Sequence, residues 1–289
     1  MSRQQSRNTI ARYQTARFVI VDVHRVLRDL LGEQLRRVGA ERIRFVHRHD
    51  ALWEALSEEP APTFIIADWN AEDGPAGVDM IHRIRETDAI REASLILLAD
   101  EVTPEMEALT EVYRVATLLE KPYTAKQVLL EVDRELRLRE SPTEFELLLK
   151  RGWQLLEEGT FEKALLVYNW LRQLNPDSLA ALYGAGEAMS GKGELDDARA
   201  VFEDLIARSP MFLQGVDRLT DIAEAQGDHE RAIELIERAI QLAPGAADRQ
   251  VKLARQKHKS GDPEAAENAL RRALRESPEL WEATLSLSE

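Results

Sequence analysis

Three residues in the first half of the chain could do chemistry together. Asp22 closes the apolar run Phe18-Val-Ile-Val, Asp68 closes Thr63-Phe-Ile-Ile-Ala, and Lys121 follows Thr117-Leu-Leu-Glu. Short apolar runs of this kind read as buried strands of a parallel sheet. Sites in such sheets lie at the carboxyl ends of the strands. Two carboxylates there can hold Mg²⁺ through oxygen ligands, with water completing the octahedron. An ammonium can pair with a phosphoryl oxygen. One of the acids can itself be the nucleophile that takes up a phosphoryl group.

The surrounding elements must bring these residues together. Val26, Leu27, Leu30, Leu31, Leu35 and Val38 have helical spacing, and Gly39 stops the run. A strand at Ile43–Val46 and a helix from about Asp50 to Ser57 follow. After the Asp68 strand come a helix over Val78–Glu86, a strand from Ser94 and a helix over Pro104–Val115. The Lys121 strand then leads into a helix over Thr124–Leu138. Five strand–helix alternations predict a doubly wound, five-stranded parallel α/β sheet over residues 17–140.

With these elements in place, the segment resembles a response-regulator receiver domain of the CheY-like, flavodoxin-like class. The resemblance is carried by Ile65-Ile-Ala-Asp68-Trp69-Asn70, the loop glycines Gly74 and Gly77, the helix Val78-Asp-Met-Ile-His-Arg-Ile-Arg, and Lys121-Pro122-Tyr123. It implies Asp68 as phosphoacceptor, Asp22 and Asp68 as Mg²⁺ ligands with the backbone carbonyl of Asn70, and Lys121 as the phosphoryl contact. Its donor would be a histidine kinase or phosphotransfer protein. Three positions depart from the family pattern: Val23 in place of a second acid, Ala99 in place of a hydroxyl residue, and Leu118 in place of an aromatic. Val23 weakens Mg²⁺ binding, and Ala99 removes a hydrogen bond to the phosphoryl group. Asp100 and Glu101, at the end of the fourth strand, are expected to be solvated. His24, His47 and His49 lack the companions of a zinc site.

The second half is a repeat. Gly159, Gly193, Gly227 and Gly261 recur at 34-residue intervals, as do Ala164, Ala198, Ala232 and Ala266, and Pro176, Pro210, Pro244 and Pro278. That period predicts a helical array. With Gly152, Phe161 and Tyr168 in the first copy, it resembles the tetratricopeptide repeat (TPR). The expected units are 145–178, 179–212, 213–246 and 247–280, with 281–289 as either a short capping helix or the opening helix of a further unit in a chain cut short at Glu289. The resemblance places a partner-binding groove on the first helix of each unit. Its candidate residues are Leu149, Trp153, Tyr183, Glu187, Asp217, Asp221, Glu224, Arg255 and His258. Aromatic at one end and acidic in the middle, such a groove calls for a protein segment carrying Arg or Lys. Ser141, Pro142 and Glu144 read as the capping box that opens residues 141–289.

Composition narrows the function. A net charge of −14 and a pI near 5.1 argue against nucleic acid as a partner. The chain has no cysteine, which removes disulfides and thiol chemistry. No apolar run approaches the ~20 residues of a membrane span, and residues 1–16 read as a disordered, polar tail without a signal peptide's apolar core. A bacterial, cytoplasmic signalling adaptor is therefore expected, with no enzymatic activity beyond phosphotransfer and autodephosphorylation. Its receiver would be phosphorylated at Asp68 and its array would bind a partner protein. A phosphorylation-independent scaffold with a pseudo-receiver, and a phosphate sink, are the alternatives.

Overall fold

The computed structural model describes residues 11–21, 25–47, 50–57, 61–69, 77–244 and 247–277. The chain divides into two compact units, Met1–Leu148 and Leu149–Glu289. The division falls inside a helix, past the boundary expected near residue 140.

The first unit alternates strand and helix. In chain order these are β1 (Arg17–Val21), α1 (Arg25–Arg37), β2 (Arg42–Val46), α2 (Asp50–Ser57), β3 (Phe64–Asp68), α3 (Gly77–Glu86), β4 (Ser94–Ala99), α4 (Pro104–Val112), β5 (Val115–Glu120) and α5 (Ala125–Glu140). The five strands pair in parallel in the order β2-β1-β3-β4-β5. Every residue of β1, β3 and β4 is buried, which explains their unbroken apolar runs. Alternate residues Phe18, Ile20, Phe64, Ile66, Ile96 and Leu98 form one face of the sheet and share a core with Leu31 and Leu35 of α1 and Val128, Val132 and Leu136 of α5. Helix α4 ends at Val112, earlier than the spacing predicts, because Arg114 turns the chain with φ 52° and Val115 opens β5. The Arg85 guanidinium holds this corner. It donates to the carbonyls of Tyr113 (2.6 Å), Arg91 (2.7 Å), Ala93 (3.0 Å) and Arg114 (2.8 Å).

The expectation of a disordered tail through residue 16 fails at its end. Residues 11–15 are helical, and Tyr13 is buried in the core. Its ring lies 6.2 Å from that of Phe18, and its hydroxyl donates to Asp133 Oδ1 at 3.0 Å. Arg12 pairs with Glu140. A polar composition concealed one aromatic side chain able to cover the sheet's end.

The helices that follow are α6 (Glu144–Glu157), α7 (Phe161–Leu174), α8 (Leu179–Lys192), α9 (Leu195–Arg208), α10 (Leu213–Gln226), α11 (His229–Leu242), α12 (Ala247–Lys259) and α13 (Pro263–Glu276). The capping box of α6 is Thr143 with Glu146 rather than Ser141 with Glu144. Thr143 N donates to Glu146 Oε2 at 2.7 Å, and Glu146 N donates to Thr143 Oγ1 at 3.2 Å. Both residue pairs have the same spacing, and the helix starts at Glu144 rather than at Pro142. The recurring glycines take left-handed φ values of 68°, 82°, 74° and 86°, a conformation that costs other residues a backbone clash. The recurring alanines are buried between the helices of each pair. The first three prolines each follow a helix end, and Pro278 lies outside the described residues. Among the described residues, no helix is long and apolar enough to cross a membrane.

Packing in the array rests on close approach. Tyr168 is fully buried, and a Cβ at Gly184 would meet its ring at 2.1 Å. We expect Gly184→Val to cost about 2–3 kcal/mol by overpacking. Gly159→Ala meets nothing within 4 Å and should cost only the left-handed backbone, about 1 kcal/mol. Urea denaturation of the two variants checks the contrast.

Candidate functional site

Parallel pairing aligns the carboxyl ends of β3, β4 and β5. Asp68 pairs with Leu98, and Ala99 with Glu120. The alignment continues one residue beyond the strands: Trp69 N donates to Leu98 O at 2.7 Å, and Lys121 N to Ala99 O at 2.8 Å. Asp68 and Lys121, 53 residues apart in sequence, therefore converge. Lys121 Nζ donates to Asp68 Oδ2 at 2.5 Å. Asp68 is only 3% exposed, whereas a charged group is normally kept out of such a position unless paired.

A third residue joins them. Asp100 Oδ1 lies 3.2 Å from Lys121 Nζ. The expectation that Asp100 is merely solvated is thus corrected: it is largely exposed, yet it shares the ammonium with Asp68. Its position directly after β4 was the signal, since it shares the strand-end placement used to select the other three residues. Partial burial by itself lowers the Lys121 pKa. The hydrogen bonds and negative charges of Asp68 and Asp100 outweigh it and hold the ammonium above the usual lysine range.

Trp69 closes the other side of the strand end. Its indole is largely buried, and a Cβ at Gly77 would meet the ring at 2.4 Å. Gly77 is the first residue of α3 rather than a loop residue, and only a glycine lets the helix start against the indole. Asp22, Val23, Asn70, Gly74, His24 and His49 lie outside the described residues. Of the implied Mg²⁺ ligands, Asp68 alone is described, and among the described residues no group of three His, Asp or Glu could hold a metal. Ala99 is fully buried, and Leu118 pairs with Leu97 on β4.

The groove residues fall on the first helices of the units: Trp153 on α6, Tyr183 and Glu187 on α8, Asp217 and Asp221 on α10, Arg255 on α12. Two expectations about them are corrected. Tyr183 is 4% exposed and belongs to the array's aromatic core, with ring centroids 5.7 Å from Trp153, 5.9 Å from Phe202 and 5.1 Å from Phe212. The acidic middle, moreover, carries its own cations. Glu187 pairs with Arg218 (2.6 Å), Asp217 with Arg249 (3.2 Å), and Asp221 with both Arg218 (3.3 Å) and Lys252 (3.0 Å). Three of these contacts span 31, 32 and 31 residues. That near-constant offset, about three short of the repeat, is the signal that an inspection of one helix at a time overlooks. Arg255 and His258 are exposed at the far end.

The repeats also match known sequences. A tetratricopeptide-repeat family profile matches residues 155–212 and 223–288, and a second matches residues 191–247. The helical half of the chain is a tetratricopeptide-repeat array. Tetratricopeptide repeat protein 7A of Homo sapiens is 27% identical over 101 residues, 35% of this chain but 12% of that protein, so the chain spans about an eighth of this relative's length. Among solved structures, a crystal structure of MamA is 23% identical, with a TM-score of 0.44, over 53% of this chain and 93% of its own. The chemotaxis response regulator CheY4 of Vibrio cholerae is 20% identical, with a TM-score of 0.37, over 42% of this chain and 98% of its own. The class of the first unit rests on its topology instead. The order β2-β1-β3-β4-β5 is that of flavodoxin and CheY alike, so the unit has a doubly wound, flavodoxin-like fold. The tetratricopeptide repeats point to protein–protein interaction.

Two predictions follow from these charges. A Lys whose folded pKa is raised stabilises the fold fully below the ordinary lysine pKa of about 10.4 and progressively less as pH rises above it. Urea denaturation between neutral pH and about pH 11 should therefore show wild type losing stability that Lys121→Met never had, so the two curves converge at high pH. In the array, a double-mutant cycle on Glu187 and Arg218 should return a coupling of about 0.5–1 kcal/mol that falls with added salt, as expected of a partly buried pair near the surface.

Proposed function

We propose that this protein is a two-component-type signalling adaptor whose receiver-like unit accepts a phosphoryl group at Asp68 and whose TPR array binds a partner protein according to that state. The observation that carries the reading is the buried Asp68 carboxylate at a strand end with the Lys121 ammonium 2.5 Å from one oxygen. In the reaction, an Asp68 carboxylate oxygen attacks phosphorus and a P–O bond forms. The bond from phosphorus to the donor breaks, and the donor's histidine nitrogen leaves with the electron pair. Lys121 pairs with an oxygen of the transferred group and offsets its added charge. Asp22, Asp68 and the Asn70 carbonyl would hold Mg²⁺, whose hard-cation preference suits oxygen donors and which would supply further neutralisation. We propose no enzymatic activity beyond this transfer and the hydrolysis that reverses it. A histidine kinase or phosphotransfer protein as donor would place the chain in the cytoplasm of a bacterial cell.

The array's partner is a protein segment. Because Arg218, Arg249 and Lys252 already balance the groove's acids, it would carry both charge signs rather than a basic stretch alone. A second reading is favoured by Ala99 and by Asp100's hold on Lys121: a scaffold whose receiver-like unit docks without phosphorylation.

Incubation with acetyl phosphate and Mg²⁺, followed by intact-mass measurement, separates the two. The adaptor gains one phosphoryl group that Asp68→Ala does not, and Lys121→Met is labelled more than about tenfold less. No gain, under conditions that label a known receiver, favours the scaffold.

A further inference from the structure

Lys121 serves two carboxylates that differ in their surroundings. Asp68 is 3% exposed, and Asp100 is 64% exposed. Asp100 is also the first residue of the segment leading from β4 to α4, which begins only four residues later at Pro104. On one side the backbone is anchored, because Lys121 N donates to Ala99 O at 2.8 Å. On the other, Thr103 starts the helix: its hydroxyl accepts from Met106 N at 3.3 Å and its carbonyl from Glu107 N at 3.0 Å. The Lys121–Asp100 ion pair therefore holds the start of the segment that leads from the strand-end site to α4. Neither Ala99 nor Leu118 has a side-chain polar atom that could respond to charge at Asp68. Asp100 does.

A phosphoryl group on Asp68 would replace one negative charge with nearly two and add three acceptor oxygens. Lys121 has one positive charge to share. The exposed carboxylate is the weaker competitor for it, since water solvates it on release. We propose that Asp100 is a positioning residue that reads the phosphoryl state of Asp68 through Lys121: phosphorylation draws the ammonium off Asp100 and releases the segment from Asp100 to the first turn of α4. This rests on the reading of Asp68 as phosphoacceptor.

The test is hydrogen exchange over residues 100–107 of the full chain, with and without acetyl phosphate and Mg²⁺, on wild type, Asp100→Asn and Asp68→Ala, with intact mass recorded in parallel. Phosphoryl transfer from acetyl phosphate forms the P–O bond to Asp68 and releases acetate with the electron pair. On labelling, exchange in wild type should rise about threefold or more. Asp100→Asn should exchange faster than wild type before labelling and change little on labelling, although Asp68 is labelled at or above the wild-type level. Asp68→Ala should not respond. An exposed carboxylate-to-amide change should leave the melting temperature near wild type, which confirms that the variant is folded. Equal acceleration in Asp100→Asn and wild type, or labelled wild type without acceleration, overturns the role of Asp100 alone. If neither protein is labelled while a known receiver is, the assignment of Asp68 itself falls, and this inference with it.

Discussion

Parallel pairing at the centre of the first unit decides where its polar chemistry can be. Strands β1, β3 and β4 are buried along their whole length, so they have no room for a charged side chain except at their ends. Register then brings those ends together: Asp68 opposite Leu98, Ala99 opposite Glu120. Asp68, Asp100 and Lys121 meet because three strands stop at the same level, and the ammonium between the two acids makes a buried Asp68 tolerable. The clamp of Arg85 on four carbonyls and the cover of Tyr13 over Phe18 stabilise the corners and the opposite end of the same sheet.

The array obeys a different constraint. Each helix pair must approach closely enough to bury a core no single unit could supply. Glycines opposite Tyr168 and buried alanines allow that approach, and left-handed glycines close the turns. Stacking also sets side chains of successive first helices beside each other, which yields ion pairs at a nearly fixed sequence offset. The groove charges are consequently part of the array's own architecture. Under the proposed function, a ligand would have to compete with Arg218, Arg249 and Lys252 for the acids there, which favours partners able to replace both members of a pair.

The two kinds of site suit different work. Under the proposed function, the strand-end constellation would hold position and charge fixed for phosphoryl transfer. A groove of partly exposed ion pairs would suit the proposed recognition, where many small terms add and salt modulates them. Asp100 belongs to neither category. It is exposed enough to move and close enough to Lys121 to respond to charge at Asp68.

Much of this was legible in the chain itself, because periodicity is a local property. Apolar runs mark β1, β3 and β4, the glycine, alanine and proline spacing marks the array, and Asp68 and Lys121 stand out at strand ends. The sequence by itself determined the order of elements, the repeat and two members of the site. What depended on contacts between residues distant in sequence was not legible. Tyr13 looked like part of a tail until the sheet's end required a cover. Tyr183 looked like groove until Trp153, Phe202 and Phe212 enclosed it. Thr143 displaced Ser141 as a cap because hydrogen-bond geometry, not spacing, chooses between two equivalent patterns. The partners of Glu187, Asp217 and Asp221, and of Lys121 beyond Asp68, were decided only by tertiary structure. The reason is physical: an ion pair depends on distance in space, and chain order constrains that distance only once strands have paired and helices have stacked.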